Sequence, residues 1–247
     1  MDPNAILPLM TTVIGVVFFI MLADQHIARP RAHKAVWACG LLIFSIGVFT
    51  QFWGVAYGWN ELIYKLWYWC GAIAVAAWLG AGSVYLLARG HWPGHVFLGL
   101  VVALSAAGAV ILLANSVPAD HVYPGPSQIV RGDGIPEAAR RIAALSNIIG
   151  TLALVGVAGW GAWRYFTSRV TWHRAVSNVL IAGGAFVVAA GGALSRFEVT
   201  APFYLTQLLG LGLIFSGFLV SVEVFAHFRL PFTARRSLRP GASDRRP

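Results

Sequence analysis

The sequence predicts an all-α integral membrane protein of seven continuous transmembrane helices, with the amino terminus outside and the carboxyl terminus in the cytoplasm. Three observations carry this reading. The 247 residues are 58% hydrophobic and only 11% charged, where a soluble domain carries about 25% charged residues. The apolar residues fall into long unbroken runs, each near the ~20 residues a helix needs to cross about 30 Å of hydrocarbon. The basic residues gather in alternate connections, as the positive-inside effect requires. Continuous rather than alternating runs exclude a transmembrane β-barrel, and open strand edges are not satisfied in lipid.

The first run, Ile6–Ala23, is preceded only by Asp2 as a charge and has no small-x-small cleavage site, so it reads as a retained span. The next runs are Ala35–Ala56, Leu66–Ala88, His95–Val117, Ile142–Phe166, Ala175–Leu194 and Phe203–Phe228. Pro8, Pro30, Pro93, Pro118, Pro136, Pro202 and Pro231 fall at or near the proposed ends. Proline is tolerated in a first turn and kinks a helix interior, so each span should be continuous. Residues 1–228 form the bundle and 229–247 a basic cytoplasmic tail.

Charge sets the orientation. His26, Arg29, Arg31, His33 and Lys34 follow span one, and Arg89, His91 and His95 follow span three. Arg169, His173 and Arg174 follow span five, and six arginines follow span seven. With seven spans all of these clusters lie on one side. The formal charge of +9 is accounted for in this way, and no recognition helix or basic stripe points to nucleic acid. Trp53, Trp59, Trp67, Tyr68 and Trp69 would mark the outer interface, and Trp37, Trp92, Trp163, Tyr165 and Trp172 the inner one.

Small residues recur in the spans: Ala72, Ala76, Gly80, Ala81 and Gly82 in span three, Gly183, Gly184, Gly191 and Gly192 in span six, and Gly210, Gly212 and Gly217 in span seven. They let helix backbones approach closely. Three spans, a linking span and three more is a plan this order permits, although no sequence copy recurs at a fixed period.

Two polar sets are candidates for chemistry. On the inner side, Asp24, His26, Tyr85, Asn178, Glu223 and His227 could form a pocket, with Glu223 and His227 four residues apart on one helical face. An intramembrane carboxylate is costly and points to function or to a paired partner. On the outer side, Gln51, Trp53, Asn60, Trp67, Asn147, Glu198 and Gln207 could form a ligand pocket. The connection from Pro118 to Arg141 is long enough to cap that mouth, and it contains Arg131, Gly132 and Asp133, a tripeptide best read as chance. The 7 histidines lie mostly in basic loops, with no HExxH motif. We therefore expect neither a metal nor any other cofactor. Cys39 and Cys70 fall on opposite sides of the membrane, so they cannot pair within one chain and should be buried, inert thiols.

The amino-out, seven-span plan resembles that of rhodopsins, whose cofactor requires a lysine in the last helix. This chain has only Lys34 and Lys65, so retinal binding is rejected. Alkaline ceramidases are similar in topology, but their zinc-binding histidine set has no counterpart here. Span three, YKLWYWCGAIAVAAWLGAGSVYLLARG, resembles segments of uncharacterised bacterial multi-span proteins. That resemblance brings no functional assignment, and the expected location is a bacterial plasma membrane.

The leading expectation is a non-enzymatic sensor or accessory subunit. It would bind a hydrophobic small molecule, a lipid, or a membrane or cytoplasmic partner protein. A small-solute or proton-coupled transporter using Glu223 is the alternative. A membrane-embedded lipid hydrolase is the third class, and it would need Asp24, His26, Glu223 and His227 to converge.

Overall fold

The computed structural model describes residues 3–88, 91–122, 131–168, 172–194 and 201–221. Over these residues the protein is all-α, with seven long helices. They are α1 (Pro3–Ala28), α2 (Ala32–Tyr57), α3 (Glu61–Leu87), α4 (His91–Ala114), α5 (Glu137–Ser168), α6 (Trp172–Leu194) and α7 (Ala201–Ser221). Six are long and apolar enough to cross a membrane, and α6 carries a shorter apolar stretch, Val176–Gly192. Large apolar side chains such as Val13, Leu113, Leu152 and Phe186 cover the outside of the bundle. A soluble protein rarely exposes so much contiguous apolar surface. This is a multi-pass membrane protein.

Six helices form a ring in the order α1, α2, α3, α5, α6, α7, with α7 closing back on α1. The fourth helix stands outside, against α3 and α5. The ring thus consists of two three-helix units, α1–α3 and α5–α7, joined through α4. Successive helices reverse direction, so α1, α3, α5 and α7 all start at the end that carries the 119–136 connection, here called the loop end.

Glycine decides which helices touch most closely. A Cβ on Gly80 would lie 2.6 Å from the Gly150 carbonyl oxygen, and one on Gly150 would lie 2.3 Å from the Ala76 backbone. Helices α3 and α5 therefore cross with backbone on backbone. The same happens between α6 and α7, where a Cβ on Gly184 would lie 2.5 Å from the Gly210 carbonyl oxygen. Gly183 and Gly212 meet nothing within 4 Å, so proximity in sequence did not separate contact glycines from free ones.

Two expectations about continuity need correction. Helix α3 is not α-helical throughout, because Trp69–Ala74 forms a π-helical turn. Such a turn loosens the i→i+4 ladder and persists when other groups take up the backbone atoms. Asn147 of α5 donates Nδ2 to the Ala72 carbonyl at 2.5 Å. Trp69 Nε1 donates to the Ser105 carbonyl of α4 at 2.8 Å. Pro8 lies inside α1 rather than at its end, because the helix begins at Pro3, ahead of the apolar run. The bond that Pro8 forgoes falls in the first turns, where the loss is small.

The α2–α3 turn is built by four residues. Gly58 adopts φ +98°, open to glycine without strain. Trp59 then folds back on Gly54, where any Cβ would strike its ring at 2.2 Å. Asn60 caps α3, its side chain accepting from the Ile63 N–H at 2.9 Å. Glu61 Oε1 binds Lys65 Nζ at 2.7 Å and accepts the Val117 N–H at 3.0 Å, tying the far end of α4 to the start of α3.

Candidate functional site: a cavity inside the ring

A cavity of about 890 Å³ lies inside the six-helix ring. This is within the range of about 300–1,000 Å³ typical of small-molecule sites. All six ring helices line it, and α4 does not. Helical spacing explains the lining. Gly71, Val75 and Leu79 recur at four-residue steps on α3, as do Asn147 and Thr151 on α5, and Gln207 and Leu211 on α7. The space exists because several inward positions are small, among them Ala72, Ala76, Ala144 and Ala189.

The wall changes character along its length. Away from the loop end it is aromatic and aliphatic: Phe18, Leu22, Trp37, Leu41, Leu79 and Phe218. Phe18 packs against the Phe218 ring at a centroid distance of 4.9 Å. Trp37 is held by donating Nε1 to the Leu79 carbonyl at 3.0 Å, so its polar edge is satisfied and its ring faces the space. Thr151 stands midway, beside the level of Ala76 and Ala77, and toward the loop end come Asn147, Gln51 and Gln207 with Arg131, Asp133 and Arg140.

The described parts of the 118–136 connection are packed. Val122 and Ile135 are buried in one cluster with Tyr64, Tyr68, Ile73 and Ala139. Tyr64, wholly buried, donates its hydroxyl to the Arg131 carbonyl. Gly132 lies against Tyr68, where a Cβ would fall 2.5 Å from the ring. The connection is thereby seated on α3, and residues 131–133 form part of the cavity rim.

Of the outer candidate set, Gln51, Trp67, Asn147 and Gln207 line this cavity. Trp53 does not. It is 40% exposed and stacks with Tyr57 at 4.8 Å on the outside of α2. Asn60 is the α3 cap described above, and Glu198 lies outside the described residues. The described members of the inner set have separate neighbours, and none lines the cavity. His26 Nδ1 faces the Arg31 carbonyl at 3.1 Å, Tyr85 packs on the His95 ring at 5.4 Å, and Asn178 abuts Gly161. Asp24 is exposed in the last turns of α1, while Glu223 and His227 lie outside the described residues. Among the described residues no three His, Cys, Asp or Glu side chains gather as a metal site would require. Cys39 and Cys70 are both free; Cys70 is buried as expected, but Cys39 is exposed, on a face of α2 that no neighbouring helix covers.

Several aromatic residues assigned to the interfaces turn out to be interior. Trp59 and Tyr68 belong to the buried cluster beneath the connection, and Trp37, Trp67 and Tyr68 face the cavity. Trp92 and Trp163 stay at the perimeter, 72% and 59% exposed. Sequence reasoning overlooked Gly71, Ala144 and Ala189, whose small size opens the space. Their only signal was being small at helical spacing, which packing also explains. No family model, curated protein or solved structure matches the chain.

Proposed function

We propose that the protein binds one hydrophobic small molecule inside the ring and serves as a membrane sensor or accessory subunit. One observation carries the reading: a cavity of about 890 Å³ with a long apolar wall and a short polar end. An amphipathic guest matches that division, its apolar body against Phe18, Trp37 and Phe218 and its polar group toward Gln51 and Gln207. In this reading the loop end faces outside, because the basic clusters at the other helix ends belong in the cytoplasm. Ligand occupancy would be read by a membrane or cytoplasmic partner protein.

The test is native mass spectrometry of the full chain after gentle extraction, beside Gly71→Phe. A Cβ at Gly71 meets nothing within 4 Å, so the larger ring can enter the cavity without displacing the backbone. The expected result is one retained small molecule per chain, lost in Gly71→Phe at unchanged helical content. A bare wild-type chain, or equal retention in both, overturns the reading.

One observation favours transport as a second reading. Two three-helix units running in the same sense enclose the cavity, and transporters built from parallel repeats place substrate at the interface between the repeats. Solute flux into vesicles that depends on the protein would support it.

A further inference from the structure

The two three-helix units meet at two seams, α3 against α5 and α1 against α7. Each seam joins a pair of helices that start at the loop end, so the plan makes them equivalent. They are built differently. The α3–α5 seam has the Gly80–Gly150 backbone contact and the Asn147 bond to the Ala72 carbonyl, and α4 packs across it from outside. Among the described residues no helix stands outside the ring at the α1–α7 seam.

Glycine draws the same distinction. A Cβ on Gly15 of α1 would lie 2.5 Å from Ser45 Oγ of α2, and one on Gly40 of α2 would lie 2.8 Å from Leu79 Cδ2 of α3. One on Gly161 of α5 would lie 2.9 Å from Asn178 Nδ2 of α6. With the two backbone contacts already described, every other seam of the ring has a glycine pressed on its neighbour. The glycines of α1 and α7 turn elsewhere: Gly15 to α2, Gly210 and Gly217 to α6, while Gly212 meets nothing within 4 Å.

Side chains close the α1–α7 seam instead. Phe18 of α1 packs between Phe215 and Phe218 of α7, at centroid distances of 5.1 and 4.9 Å. Phe18 and Phe218 also wall the cavity, with Leu22, Leu211 and Ile214 beside them, while Phe215 is not on that wall. The rings that close the seam are thus largely the rings that face the guest. A contact between side chains yields by a rotamer change, whereas backbone pressed on backbone yields only if a helix moves.

We propose that the α1–α7 seam is a side doorway, and that the guest enters through it from the bilayer. The inference rests on the small-molecule reading above and names the class of guest: a lipid chain or other apolar molecule dissolved in the membrane, not a solute taken from water. Such a molecule keeps its apolar surface in hydrocarbon throughout the passage. Entry at the loop end would take it through water and past the exposed charges of Arg131, Asp133 and Arg140.

The experiment uses the full chain in nanodiscs that contain a phosphatidylcholine with a diazirine midway along one acyl chain. After illumination, adducts are mapped by tandem mass spectrometry. The head group stays at the membrane surface, so the chain reaches Leu41, a wall residue 3% exposed, only by passing between helices. Leu152, 69% exposed on α5, serves as the lipid-facing standard. The expected result is adducts at both residues in the wild-type chain. In Phe215→Ala the Leu41 to Leu152 ratio should rise about fivefold, the effect of removing one ring contact on the open population. Leu112→Ala, on the face of α4 buried toward the braced seam, should leave the ratio unchanged. Where Phe215→Ala fails to fold, Phe215→Leu is read, with a smaller rise in the same direction. Absence of Leu41 adducts from the wild-type chain overturns the doorway. So does a ratio that the Phe215 variant leaves unchanged, or one that Leu112→Ala raises equally. A small molecule still retained in native mass spectrometry would then leave the cavity reading standing, with entry at the loop end.

Discussion

The α3–α5 and α6–α7 seams use the same device to different ends. Each brings two backbones together where glycine removes the side chain: Gly80 on Gly150 in one, Gly184 on Gly210 in the other. At α6–α7 the interlock is mainly van der Waals packing. At α3–α5 a polar pin is added, because Asn147 reaches the Ala72 carbonyl in a π turn and also bonds the Ala143 carbonyl at 2.9 Å. The close approach packs both seams, but at the pinned one a side chain that lines the cavity, Asn147, also bonds the backbone of the facing helix. Close packing and polar placement are thus separable, and substitutions can separate them.

The largest effect is expected at the pinned seam. Gly150→Leu puts carbon into the Ala76 backbone, which cannot step aside, and should cost about 3 kcal/mol or more. Unfolding in mixed micelles by denaturing detergent measures it. Gly184→Leu should cost less, about 2 kcal/mol, since part of its clash falls on the Ile214 side chain, which can rotate. Equal losses at the two sites would show that the seams are mechanically alike. Asn147→Leu removes the pin without touching the glycines. The expected loss is about 1 kcal/mol, with faster amide exchange confined to the π turn and the residues after it. Exchange that quickens equally along α6 would break the comparison. At the small end, Gly183→Ala fills open space and should stabilise by up to about 1 kcal/mol through helix propensity alone.

Much of the fold is legible in the sequence because lipid imposes simple demands. Length, apolarity and terminal prolines mark the helices, and Ala76, Gly80, Gly184 and Gly210 stand out as small residues at helical spacing. The ring order does not show in the same way. In a membrane, the face toward lipid and the face toward a neighbour are both apolar, so composition cannot say which is which. Helix α4 illustrates this. Its Val101 and Leu112 are buried while the equally apolar Val102, Val110 and Leu113 are exposed on the perimeter. Among the site residues, Gln51, Asn147 and Gln207 were visible as rare polar groups within apolar spans. Asn60 and Trp53 shared the same neighbourhood in sequence but serve a cap and an outer stack, which only backbone direction distinguishes. The π turn had no sequence signal, because it depends on a donor supplied from 75 positions away.

The position of α4 outside the ring has a consequence for biosynthesis. Helices α3 and α5 are neighbours that run in parallel, so the nascent chain must lay α4 aside before α5 can reach its place. A chain stalled after α4 has half a wall: the Ala72 carbonyl still awaits Asn147 of α5. The inserted amino-terminal half is thus an open trough whose polar groups are quenched only when the second half arrives. That makes the interval between the emergence of α4 and of α7 the period when the newborn protein is most in need of a chaperone or an insertase at its side.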